Sequence, residues 1–162
     1  MPFFEVYHII DLTAEQKSTL AKAFTVAHSR RFTTLEQFVN IRFNNVADED
    51  VYVGGYPRRF NRIFCNVRPG GGRSQEAFQA LCHDLAGHWA EIVGTEGDKN
   101  LRSVFVVAAL AAGIEVGLDF PTAGNDQTWV QDNKDTFKRL ADAGDRDFVN
   151  VMKELEIRPE FK

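Results

Sequence analysis

The sequence predicts a single α+β domain made of two fused β-α-β units, with four strands in one sheet, both connecting helices on one face, and further helices at the C-terminal end. Three observations predict it. A strand, a capped amphipathic helix and a second strand occur in that order twice. The chain has 162 residues with 44% hydrophobic content, enough for one sizeable core. Parallel strands joined by a helix cross over right-handed, so two such units place their helices on the same side.

The first unit spans residues 2–57. Phe3 to Ile10 is rich in aromatic and β-branched residues, as a strand covered on both faces would be. Thr13 precedes Gln16 by three, the spacing of a capping box, and predicts a helix from Ala14 to about His28. Leu20, Ala23, Phe24 and Ala27 recur at helical spacing, while Glu15, Lys17, Ser18 and Lys22 take the wet side. Phe38 to Val46 alternates apolar with polar residues, which predicts a half-buried strand. Val51 to Tyr56 follows as a short strand whose Gly54-Gly55 marks a bulge or a close backbone approach.

The second unit spans 60–125. Ile63 to Val67 reads as a strand, Arg68 to Arg73 as a glycine-rich loop, and Ser74 opens a long helix with Phe78, Leu81, Leu85, Trp89 and Ile92 on its buried stripe. Val104 to Leu110 is an apolar closing strand. Two halves of roughly 60 residues that share pattern rather than identity suggest duplication. One sheet face stays apolar and uncovered, which predicts a closed homo-oligomer. The remaining segment, 126–162, turns polar, with helices expected at Lys134 to Ala143 and Arg146 to Leu155, and is expected to wrap the parent subunit or a neighbour.

Composition removes several classes of function. The 19 basic and 23 acidic residues are interspersed and the net charge is -4, so no basic stripe is available for phosphates, and nucleic acid is not an expected partner. No apolar run approaches the ~20 residues that span a bilayer, and the start MPFFEVYHII does not read as a secretory leader. Cys65 and Cys82 fit small buried hydrophobes better than a disulfide or a metal site, and a cytoplasmic setting is the expectation. His83 and His88 are five apart and point to different helix faces, so no metal site is expected. No glycine-rich phosphate loop occurs, and no cofactor is expected.

Several residues are candidates for chemistry, each with a plain structural alternative. Pro2 becomes a secondary amine if Met1 is removed, and an α-amino group titrates near pH ~8, close enough to neutrality for acid-base work. It can equally be a proline that starts a strand. Arg68 and Arg73 flank Pro69-Gly70-Gly71-Gly72, where close backbone approach and a bidentate guanidinium suit a carboxylate, or where a surface turn needs neither. Glu115, in the glycine-punctuated stretch Gly113 to Pro121, can activate water or be an exposed loop acid. His28 ends the first predicted helix, where it serves as a cationic cap or as a site residue.

Taken together, these residues resemble the cis-3-chloroacrylic acid dehalogenase group of the tautomerase superfamily. The start Pro2 to Tyr7, the segment Leu12-Thr13 to Ala27-His28, Gly72-Arg73-Ser74, Glu115 to Gly117, and Trp129 before Asp132-Asn133 are similar to it in order and spacing. The resemblance covers Pro2 to Asn133. It implies a β-α-β homotrimer with an active site around the amino-terminal proline. It implies Pro2, His28 and Glu115 as catalytic residues and Arg73 as a grip on a small carboxylate substrate. The chain departs from the group at two places. Gly70 stands where a second loop arginine is expected, for which Arg68 could substitute only by a shifted backbone. Phe105 or Val104 stands where a tyrosine would assist water activation. Both departures count against efficient dehalogenation.

The leading expectation is a cofactor-free enzyme that hydrates, dehalogenates or tautomerises a small unsaturated or 2-oxo carboxylate. A second reading is a catalytically impaired or non-catalytic trimer that keeps Met1. A third is a tautomerase for larger aromatic substrates, with Phe32, Phe38 or Phe105 lining a wider pocket.

Overall fold

Thr13 accepts the Gln16 backbone N–H through its hydroxyl while the Gln16 side chain returns to the Thr13 N–H, and this reciprocal cap starts the first long helix where the sequence places it. The computed structural model describes residues 1–161. In chain order the elements are β1 (Phe3–His8), α1 (Ala14–Phe32), β2 (Asn40–Asn45), β3 (Tyr52–Val53), β4 (Tyr56–Pro57), β5 (Asn61–Val67), α2 (Gln75–Ile92), β6 (Leu101–Ala108), β7 (Ile114–Glu115), β8 (Leu118–Asp119), α3 (Asp126–Asp142) and α4 (Arg146–Ile157).

The main sheet runs β2-β1-β5-β6. β1 pairs in parallel with β2, β5 in parallel with β6, and the two units join antiparallel between β1 and β5. This is the double β-α-β plan with the helices side by side on one face. Their inward residues Leu20, Phe24, Leu81, Leu85 and Trp89 close over Phe4, Val6, Ile63, Cys65 and Val67. Burying a side chain of this size contributes about 1.5–3 kcal/mol, and the alternation of strands and helices directs each one to the same layer.

Several expectations need correction. β1 is covered on one face only: Phe4, Val6 and His8 are buried, whereas Phe3 remains on the open side. α1 does not end near His28 but runs on to Phe32, because Thr33 takes the left-handed conformation that terminates it. Residues 36–38 form a 3-10 turn, so β2 begins at Asn40 rather than Phe38. Gly54 and Gly55, at φ 60° and 83°, form the two-residue turn of a β3-β4 hairpin, in place of a bulge. Glu115 also lies in a hairpin, β7-β8, instead of irregular loop.

α3 starts eight residues before the expected Lys134, at Asp126. Together with α4 it folds back onto its own chain. Val130, Phe137, Phe148, Val151 and Leu155 enclose Leu35, Phe38 and Met1 in a second apolar cluster at the end of the sheet where β1 begins. The tail therefore packs on the parent subunit. Among the described residues, no helix is long and apolar enough to cross a membrane.

Candidate active site

Pro2 directly precedes β1, and its carbonyl accepts the Asn40 backbone N–H at 3.0 Å, which fixes it beside the start of β2. The Asn40 side chain reaches the other way and donates to Glu115 Oε1 at 2.9 Å. One asparagine therefore ties the β7-β8 hairpin to the chain's first residues. The hairpin turn holds Val116 at φ 54°, a strained position for a β-branched residue, directly after the carboxylate it presents.

Arg68 follows β5 and is buried. Its guanidinium donates to Asp126 Oδ1 at 2.6 Å and to the Pro121 carbonyl at 2.6 Å. It is thus a structural partner of the α3 start, and the role expected of it as a second loop arginine would require a substrate to compete with Asp126. Arg73 lies at the end of the glycine loop, just before the Ser74 cap of α2. It donates to the Arg68 carbonyl at 3.1 Å, rests its guanidinium over the Phe32 ring at 4.6 Å, and keeps Nη2 buried without a hydrogen-bond partner. Gly71 passes so close to Ala123 that a Cβ there would meet the Ala123 carbonyl, so glycine is required for the loop to dock on the segment leading to α3.

His28 is buried on the inner side of α1, with Nδ1 at 3.2 Å from Thr34 Oγ1, Nε2 unpartnered, and its ring edge-on to Phe4. Burial lowers its pKa to about 3, assisted by the positive charges of Arg73, Arg68 and the amino terminus. It is therefore neutral at pH 7 and cannot be the cationic cap considered for it. Arg30 and Arg31 supply positive charge in the last turn of α1 instead.

The same charges act on the end of the chain. Burial brings the Met1 amino group down to about 5; Arg68 and Arg73 push in the same direction, and Glu115 and Asp126 oppose them. Burial and Arg68 likewise bring Arg73 down to about 10. The chain start, Arg68, Arg73, Glu115, Asp126 and His28 thus share one electrostatic neighbourhood, assembled from β1, the glycine loop, the β7-β8 hairpin, α3 and α1. A cavity of about 290 Å³ opens beside it, lined by Phe32, Gly71, Gly72, Arg73, Gly124 and Asp126. An amine held neutral near pH 7 can accept a proton, and a guanidinium with an unused N–H can receive a carboxylate.

Phe105 does not join this group within one chain. It is 48% exposed on the open sheet face, stacked on Phe64 at 5.3 Å, two strands away from β1, while Val104 faces the helices. Phe38 is buried in the second cluster against Trp129, whereas Phe32 does line the cavity. Asn40 and Asp126 were missing from the sequence-derived set. Their partners lie 75 and 58 residues away, and no local spacing signals such pairings. Among the described residues no cluster of His, Cys, Asp or Glu is arranged to hold a metal ion.

Residues 1–134 match the family described as "Putative oxalocrotonate tautomerase enzyme". No curated protein matches the chain by sequence. Among solved structures, N1, a member of the cis-3-chloroacrylic acid dehalogenase family, is similar at TM-score 0.68 and 15% identity, covering 91% of this chain and 99% of its own. A point mutant of RhCC from Rhodococcus jostii RHA1 is similar at 0.61 and 18% identity, covering 81% and 89%. The F6 fused 4-OT, an asymmetric trimer, is similar at 0.59 and 19% identity, covering 72% and 94%. At these identities the likeness is one of fold.

Proposed function

Because the chain belongs to the oxalocrotonate tautomerase family of the tautomerase superfamily, we propose that removal of Met1 makes it a cofactor-free enzyme that moves a proton within a small 2-oxo carboxylate. The observation that carries this reading is the gathering of charged groups at the chain's start: Asn40 ties Glu115 to the Pro2 backbone, and Arg73, with an unpartnered Nη2, lies among the charges that lower the proton affinity of the amine there. With Met1 gone, the positive charges of Arg68 and Arg73 favour the neutral form of the Pro2 nitrogen, which then acts as the base.

Arg73, with its unpartnered Nη2, takes the substrate carboxylate. The Pro2 nitrogen removes a proton from the carbon next to the 2-oxo group, or from the enol oxygen in the reverse sense, and returns it at the other end of the three-atom system. Glu115, held by Asn40, stands ready to relay that proton or to direct water. His28 contributes packing and an uncharged ring beside the arginines. Hydration or dehalogenation of unsaturated acids needs the protonated amine as acid, so the neutral amine ranks those reactions second. The open sheet face, with Phe3, Phe105 and Val107 exposed, suits a homotrimer, and the fused 4-OT of similar fold is named as a trimer. Phe105 then meets substrate only if a neighbouring subunit brings it there. The free thiols of Cys65 and Cys82 fit a cytoplasmic setting.

Steady-state kinetics on a straight-chain 2-oxo acid such as 2-oxobutanoate and on 3-haloacrylates test the proposal. The expected result is faster tautomerisation than dehalogenation, with loss of at least about two orders of magnitude in Pro2→Ala. Equal rates in the two proteins would sink it.

One observation favours the rival reading of an impaired trimer: Met1 is itself buried in the second apolar cluster, where a retained residue would be comfortable. Retention turns the Pro2 nitrogen into a tertiary amide without basicity. The intact mass of the purified protein, with or without one methionine, decides between the two.

A further inference from the structure

Met1 joins two unlike environments. Its amino group lies among the charges of Arg68, Arg73, Glu115 and Asp126, and its side chain, 7% exposed, belongs to the apolar cluster formed by Leu35, Phe38 and the inner faces of α3 and α4. Leu35, Phe38 and Val130 there are 2%, 3% and 0% exposed, and the one buried guanidinium against the cluster, that of Arg158 over the Phe161 ring, is paired with Glu154. Phe38 packs edge-on against Trp129 at 5.4 Å and also against Phe137 and Phe148, so the surrounding wall is made of mutually braced rings. A space bounded in this way resists collapse when its occupant leaves, and an apolar space of this kind stays dry.

We infer that the space filled by the Met1 side chain is the subsite for an unbranched apolar substituent of the substrate, which is then a 2-oxo carboxylate with a tail about the length of a methionine side chain. This rests on the excision of Met1 assumed in the proposed function. The departing residue leaves an apolar slot next to the chain's new first residue, in the same charged neighbourhood as a guanidinium with an unused nitrogen. A ligand that is anionic at one end and apolar at the other matches both. A short acid such as pyruvate reaches only the charged half, and a branched or charged tail does not fit a slot shaped by an unbranched thioether chain. The later part of α3 and all of α4, which lie beyond the stretch that resembles the dehalogenase group, thereby help to set substrate length.

The test is calorimetric binding of pyruvate, 2-oxobutanoate, 2-oxopentanoate and 2-oxohexanoate to three proteins: the Met1-free wild type, Pro2→Ala, from which Met1 is also removed, and Pro2→Leu, which keeps Met1. The expected result is an affinity gain of roughly fourfold per added methylene in the first two proteins and no length dependence in the third. A flat series in the Met1-free proteins overturns the inference, and so does an intact mass showing that the purified wild type keeps its methionine. Binding that lengthens in step with the tail but leads to no turnover leaves the slot standing and removes the proposed reaction. Turnover with a flat series does the reverse.

Discussion

Asn40 donates its side-chain amide to Glu115 at 2.9 Å, across a sequence separation of 75 residues, and through its backbone N–H it also holds Pro2. The two candidate catalytic groups are therefore positioned by one residue that takes no part in proton transfer itself. A hydrogen bond to a charged group contributes about 1.5–3 kcal/mol. Asn40→Leu leaves the backbone bond intact and removes the contact to Glu115 together with a longer one, at 3.4 Å, to the Phe38 carbonyl. It is expected to lower kcat by roughly ten- to a hundredfold with KM changed far less, since the carboxylate grip proposed for Arg73 is untouched. Steady-state kinetics check this, and a loss confined to KM would contradict a positioning role.

The acidity of the chain's amine has a sign that kinetics can read. Burial and two arginines favour its neutral form. With Pro2 as the first residue, the rising limb of kcat/KM against pH is expected well below the ordinary α-amino value near ~8. Taking away a neighbouring positive charge stabilises the ammonium, so Arg73→Leu should move the limb to higher pH as well as raise KM for the carboxylate. Nitrogen NMR titration of the Pro2 amine gives the same shift without turnover. A wild-type limb near pH ~8 would remove the basis for a resting neutral base.

His28 makes a separate prediction for stability. Its folded-state pKa, about 3, lies below the ordinary value of 6.5, so the unfolded chain binds the extra proton first as pH falls. Stability is therefore complete above about pH 6.5 and is lost as pH drops towards about 3, with a slope of at most ~1.4 kcal/mol per pH unit for one group. His8 is lowered in the same sense, and so is the amino group of a chain that keeps Met1, so the wild type alone cannot isolate the effect. His28→Gln should show a shallower acid slope in urea unfolding at a series of pH values. Parallel slopes in the two proteins would show that His28 protonates equally well when folded.

The fold was legible because its signals are local. Thr13 and Gln16, Ser74, and the stripe Leu81-Leu85-Trp89 each sit within a few residues of what they determine, and each acts as the spacing indicates. The boundaries that shifted depended on contacts distant in sequence. α3 begins early because Asp126 pairs with Arg68, and Asn40 opens β2 while bonded to both Pro2 and Glu115. Of the candidate site, Arg73 and Glu115 could be picked out by their glycine-rich settings. Whether Arg68 is free to grip a substrate could not be read, because its partner lies in a segment that looked like polar tail. Phe105 carried an apolar strand signal that gave no indication of which sheet face it would occupy.

The tail's attachment depends on one buried arginine. Arg158 is 1% exposed, and its Nη1 donates to Ser29 Oγ at 2.7 Å, to the Thr34 carbonyl at 2.8 Å and to Glu154 Oε1 at 2.7 Å, while the Glu154 carboxylate accepts the Glu36 backbone N–H. This clip fastens α4 to the end of α1 and to the 3-10 turn that carries Phe38. Arg158→Met leaves the Glu154 charge buried without its cation, a change that typically costs about 3–5 kcal/mol. Adding Glu154→Gln removes that charge and should recover part of the loss, which simple loss of packing would not allow. Because α3 and α4 wall the cluster around Met1, hydrogen exchange in Arg158→Met should rise first in those helices and leave the β1-β5 ladder protected. Uniform loss of protection across sheet and tail would mean that the clip stabilises the whole domain rather than holding the tail against it.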